Sequence, residues 1–93
     1  TTTLLTAVGY PDGYKRVTNG YYLSSVKLNE FPYYVVSHTA EILNGNSGGG
    51  LFDSSGKLVG INVAAVLDNE GGFVQSYAIP SSKVLEYLEL FKL

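Results

Sequence analysis

The strongest constraint on this chain is the spacing of its turns. Asp53-Ser54-Ser55-Gly56 and Asp68-Asn69-Glu70-Gly71-Gly72 lie on either side of the apolar run Lys57 to Leu67. Each carries the Asp and Gly pattern of a tight hairpin connection. A chain that reverses direction at such intervals leaves no room for long helices. The remaining runs obey the same rule. Thr2 to Val8 reads as a strand closed by Gly9-Tyr10-Pro11-Asp12-Gly13, and Arg16 to Leu28 as a long strand ended by Asn29-Glu30-Phe31-Pro32. In that long strand Val17, Tyr21, Leu23 and Val26 are expected to face a core, and Asn19-Gly20 to mark a bend or bulge. Tyr33 to Thr39, Gly50 to Phe52, Lys57 to Leu67 and Phe73 to Ile79 complete six strands. The nearly continuous apolar run in the fifth predicts burial on both faces.

The period changes only at the end. After Pro80, the residues Val84, Leu85, Leu88 and Phe91 recur at helical spacing, with Glu86 and Glu89 on the polar side and Ser81 or Ser82 as N-cap. The chain therefore reads as one small all-β domain spanning residues 1–93, a barrel or sandwich with one terminal helix packed on it.

Composition removes several function classes. The 93 residues carry a net charge of −2 and no Lys/Arg-rich run, which argues against nucleic acid and against an anionic membrane surface as partners. With no Cys there is no disulfide framework or thiolate metal site, and a single His excludes a multi-histidine site, so no metal or cofactor is expected. No apolar run has the length of a membrane span; Leu58 to Leu67 is interrupted by Gly60 and Asn62. Met is absent, so the chain reads as a processed product or a piece of a longer parent.

One loop carries candidate chemistry. Gly45-Asn46-Ser47-Gly48-Gly49 fits G-x-S-x-G, but the chain continues into Leu51-Phe52, a hairpin turn and an apolar strand. A nucleophile elbow needs a helix there, so that reading fails. A phosphate loop fails too, because Gly56-Lys57 is followed by Leu58 where Ser or Thr is required. A serine protease loop remains. A Ser on a glycine-rich turn can leave successive backbone N–H groups pointing into one pocket, where they stabilise the oxyanion of a tetrahedral intermediate. Gly45 can take backbone angles that a Cβ forbids.

Four ordered blocks carry a resemblance. Ala7-Val8-Gly9-Tyr10-Pro11, then Val17-Thr18-Asn19-Gly20, then Gly45-Asn46-Ser47-Gly48-Gly49 with Leu58-Val59-Gly60-Ile61-Asn62, then Tyr77-Ala78-Ile79-Pro80-Ser81 resemble the second half of a trypsin-like serine protease of the HtrA/Deg type. The resemblance implies a six-stranded antiparallel Greek-key barrel with one C-terminal helix, forming the C-terminal half of a peptidase domain. It implies Ser47 as nucleophile and the N–H groups of Gly45 and Ser47 as the oxyanion hole. Ile61, Asn62, Val63 and Ala64 then form the strand that lines the pocket and pairs with bound peptide. Asn46 stands where digestive members carry an Asp that pairs with a new N-terminus, so that activation switch is expected to be absent.

The base and orienting acid of the triad come, in this family, from a first barrel upstream. His38 reads as a structural residue on an apolar strand, and without a base Ser47 is a weak nucleophile. The chain alone is therefore expected to be inactive. Glu41 reads first as a solvent-facing loop charge and second as a pocket acid that would favour Lys or Arg in the substrate. The expected partners are a polypeptide substrate, the missing N-terminal barrel and a second copy docking on the uncovered face. The parent is expected to be extracytoplasmic, periplasmic or secreted. The alternative is a protease-like barrel without catalysis, serving as a peptide-binding or structural module. The tyrosine pairs Tyr21-Tyr22 and Tyr33-Tyr34 read as strand packing, and Asp12, Asp53 and Asp68 as turn residues.

Overall fold

The computed structural model describes residues 3–10, 13–42 and 47–90, the side chain of Tyr87 excepted. The described strands are β1 Leu4–Gly9, β2 Arg16–Lys27, β3 Tyr34–His38, β4 Gly50–Asp53, β5 Leu58–Leu67 and β6 Phe73–Pro80, followed by helix α1 Ser81–Leu90. They close an antiparallel barrel in the order β1-β2-β3-β6-β5-β4. β4 returns to lie beside β1, through Leu5↔Asp53, Thr6↔Phe52 and Ala7↔Leu51, which makes the first four strands a Greek key. The β5–β6 hairpin fills the gap between β4 and β3 and so removes the free sheet edges.

Both aspartate turns form as their residues dictate. Asp53 Oδ1 accepts from the backbone N–H of Ser55 and of Lys57, and Asp68 Oδ1 from those of Glu70 and Gly72. Asp12 lies outside the described residues. The core consists of Leu5, Ala7, Val36, Ala40, Leu51 and Ala78, with Val59 packed against it. Three of these six residues are alanines. Ser37, His38, Asn62 and Ser76 are buried with it.

Three expectations about faces fail. In β2, Val17, Tyr21 and Leu23 are 47%, 49% and 48% exposed, and Val26 is half-buried. The buried residue of that strand is Gly20. A Cβ there would stand 2.1 Å from the backbone nitrogen of Ala40, so the main chain of Thr39-Ala40 occupies the space that a side chain of β2 would need. Asn19 and Gly20 pair in register with Thr6 and Leu5, and the irregularity lies further on, between Tyr22 and Ser24. In β5 only Gly60 and Asn62 are buried, while Ala64 and Leu67 are exposed, because the outer half of the strand extends past β4. The tyrosines Tyr21, Tyr22 and Tyr34 are exposed rather than packed.

The helix also departs from its pattern. Leu85 and Leu88 are 60% and 62% exposed, whereas Lys83 and Val84 are half-buried. α1 packs on β5 and β6 by its first turns, and Lys83 Nζ pairs with Glu86 Oε2 at 2.9 Å. Phe91 lies outside the described residues. No helix among the described residues is long and apolar enough to cross a membrane.

Candidate active site

Ser47 belongs to the connection between β3 and β4, whose described parts are an incoming limb, residues 39–42, and an outgoing limb, residues 47–49. Its incoming limb is held from three sides. The N–H of Thr39 donates to the Tyr21 carbonyl at 3.0 Å, Ser76 Oγ donates to the Ala40 carbonyl at 2.9 Å, and Thr18 Oγ1 donates to the Glu41 carbonyl at 2.8 Å. Ile42 is buried at the end of this limb.

The outgoing limb is zipped onto β5. The N–H of Gly48 donates to the Asn62 carbonyl at 2.7 Å, and the N–H of Asn62 donates to the Gly49 carbonyl at 2.9 Å. These bonds continue the ladder Leu51↔Gly60 and Gly50↔Ile61 up to the residue after the serine. Gly48 has φ of +91°, in the left-handed region where a Cβ is strained, so glycine is needed to turn the chain out of the ladder. Ser47 then stands exposed at the ladder's end, and its Oγ donates to the Val63 carbonyl at 3.3 Å. Val63 lies at a register shift between Asn62 and Ala64 in the β5–β6 pairing, so a bulge sets the carbonyl that meets the serine.

Beside Ser47 opens a shallow hollow of about 370 Å³, bounded by Gly48 and Gly49 on one side and by Tyr10 and Phe52 on others. On the opposite side, β4 reaches no further than Ile61, so the edge of β5 from Val63 outward has no neighbouring strand there among the described residues.

The predicted site residues separate into distinct places. Ser47 is exposed, Ile61 and Val63 are half-buried, and Ala64 is exposed. Asn62 is 1% exposed and turns its amide inward. Glu41 lies exposed on the incoming limb. The expected oxyanion donor Gly45 and the neighbouring Asn46 fall outside the described residues.

His38 is the residue whose role the sequence did not disclose. It is fully buried, and both ring nitrogens are engaged. Nδ1 accepts the N–H of Ala40 at 3.1 Å, so the ring proton must sit on Nε2, which donates to Asn62 Oδ1 at 2.9 Å. Burial pulls the imidazole pKa below its ordinary 6.5, with the Asn62 bond opposing that shift. A neutral ring with both nitrogens committed has no lone pair for the Ser47 hydroxyl. A single His on the strand just before the serine loop is the signal the sequence offers.

The family model described as trypsin-like peptidase domain matches residues 1–61. The fold and the serine loop therefore define a class, the chymotrypsin-type β-barrel. The chain belongs to the trypsin-like peptidase family, in its HtrA-type branch. Among solved structures it is similar to the HtrA-type protease AlgW with decapeptide (TM-score 0.80, 32% identity, covering 94% of this chain and 28% of that one). It is similar also to a single-residue variant of AlgW with tripeptide (TM-score 0.79, 30% identity, 96% and 31%). The protease domain of MamO from Magnetospirillum magneticum shares the fold at 20% identity, with TM-score 0.72 over 90% of this chain and 46% of that one. The chain thus spans less than a third of the AlgW chains. Among curated proteins none matches it.

Proposed function

We propose that this chain is the second barrel of a trypsin-like serine endopeptidase that cleaves polypeptides through an acyl-enzyme. The observation that carries this reading is Ser47 itself, exposed where the β4–β5 ladder ends and beside the edge of β5 that has no strand neighbour on the β4 side among the described residues. A substrate backbone laid along Val63 and Ala64 would add a strand to that edge and bring its scissile carbonyl to Ser47 Oγ. A base then takes the hydroxyl proton, Oγ attacks the carbonyl carbon, and the N–H groups of Gly45 and Ser47 receive the negative oxygen. The proton passes to the departing amine, and water later releases the acyl group. His38 is not that base, since its nitrogens are bound elsewhere. The base and its orienting acid come from a first barrel, and this chain alone is inactive.

The peptides named with the AlgW structures support a polypeptide substrate. Glu41 favours Lys or Arg in the substrate if its carboxylate turns into the pocket. An extracytoplasmic parent is part of the same reading. The exposed Val17, Tyr21 and Leu23 form an uncovered apolar strip, which fits docking by the absent barrel and, without it, self-association.

A fluorophosphonate probe tests the reading. The full-length parent is expected to be labelled and to hydrolyse casein, its Ser47→Ala variant to do neither, and this chain alone to remain unlabelled. Labelling of the isolated chain at Ser47 would overturn the claim of inactivity. A parent inert to the probe would leave the barrel as a peptide-binding or structural module.

A further inference from the structure

Ser47 sits on a crossover whose two limbs run to different strands, and one side chain touches the anchors of both. His38 Nδ1 holds the N–H of Ala40, at the start of the incoming limb. His38 Nε2–H holds Asn62 Oδ1, and Asn62 in turn fastens the outgoing limb. The backbone of Asn62 exchanges hydrogen bonds with Gly48 and Gly49 at 2.7 and 2.9 Å, and its Nδ2 donates to the Gly50 carbonyl at 3.4 Å. The imidazole is 0% exposed and Asn62 is 1% exposed, so water does not compete for these bonds.

We propose that His38 is a positioning residue for the reaction, a buried two-sided clamp that fixes Ser47 by setting the separation of the two limbs. The proposal rests on the reading of Ser47 as nucleophile. The ring suits the task for a chemical reason. Neutral imidazole offers one acceptor and one donor on a rigid frame, at fixed separation and in opposite directions. Ala40 requires the acceptor and Asn62 the donor. No other buried side chain among the described residues joins the two limbs in this way. The Ser76 bond ends at Ala40 and the Thr18 bond at Glu41, both on the incoming limb. Burial keeps the ring neutral, which preserves the acceptor at Nδ1.

If the separation of the limbs were to change, Ser47 Oγ would move relative to Val63 and to the bound carbonyl. A shift of that kind lowers the rate of attack while leaving most of the peptide's contacts in place. A clamp therefore shows in kcat and in the rate of covalent labelling, with little change in KM.

The experiment uses the full-length protease and an alkyl fluorophosphonate. During labelling the Ser47 Oγ–phosphorus bond forms as the phosphorus–fluorine bond breaks, fluoride leaves, and the hydroxyl proton passes to the base. His38→Leu removes both contacts and is expected to slow labelling and kcat by about tenfold or more, with KM within about threefold. His38→Gln, which keeps one contact, is expected to fall between His38→Leu and the wild type. Val35→Ala, a core truncation on the same strand away from the clamp, is expected to lose stability but keep kcat. Labelling of His38→Leu within about twofold of wild type, or of His38→Gln no slower than wild type, in a folded protein, overturns the proposal. If His38→Leu does not fold, His38→Gln alone decides. A wild-type protease that the probe does not label at Ser47 would instead refute the peptidase reading.

Discussion

His38 Nε2 donates to Asn62 Oδ1 at 2.9 Å, and this bond joins β3 to β5 inside the barrel rather than along its wall. The two residues are buried polar groups that satisfy each other, and the rest of each is occupied by backbone. A pair of this kind is costly to break from one side, because the remaining partner stays dry and unpaired.

The first prediction concerns pH. The folded state holds the His38 imidazole neutral and below its ordinary 6.5, mainly by burial. The unfolded chain therefore takes up its proton first as pH falls. The contribution is fully present above 6.5 and is lost as pH drops from 6.5 towards the folded-state value. Thermal midpoints of the chain between about pH 8 and pH 5 should decline through that window, and His38→Gln should flatten the decline. Asp53, held below its ordinary 3.8 first by the Ser55 hydroxyl, acts only at lower pH. A midpoint that stays constant as pH falls from 6.5 to about 5 would contradict the buried neutral ring.

The second concerns two glycines that look alike in the sequence. Gly20→Ala would place a methyl 2.1 Å from the Ala40 nitrogen, a backbone atom that has no room to yield. The loss should reach about 3 kcal/mol or more, at the upper end for overpacking. Gly13→Ala meets nothing within 4 Å, and with φ of +85° it should cost only about 1 kcal/mol for the left-handed backbone. Urea midpoints of the two variants, measured side by side, check the order; equal losses would refute it.

The third separates polar from apolar anchoring. Ser76 Oγ is buried and donates to the Ala40 carbonyl. Ser76→Ala leaves that carbonyl short of a partner and should cost about 1–3 kcal/mol. Leu51→Ala opens a cavity at a residue that is 0% exposed and should cost about 2–5 kcal/mol. Denaturant unfolding of both variants tests the ranking, which fails if Ser76→Ala proves the more damaging.

The strands and the turns between them were readable because their signals are local. Asp53 and Asp68 sit in their turns, Pro80 ends β6, and α1 begins at Ser81. Which face of a strand is covered was not readable from alternation alone. Val17, Tyr21 and Leu23 look like core residues by residue type, yet the interior beside β2 is filled by the main chain at Thr39-Ala40. The same holds for Leu85 and Leu88, whose spacing is helical but whose face looks outward. That Ser47 is followed by a short strand, a tight turn and a longer apolar strand was legible, because the turn residues and the apolar run are local signals. The place of His38 was hidden, since a single residue's hydrogen bonds depend on two segments that are distant in sequence.

The anchoring of the two described limbs has a consequence for how the barrel tolerates damage. Thr39 is bonded to β2, Ala40 to β6 and Gly48 to β5, so the limbs hang from three strands at once. A substitution that removes one of these bonds leaves the other two in place, and the tether weakens by steps instead of failing at once.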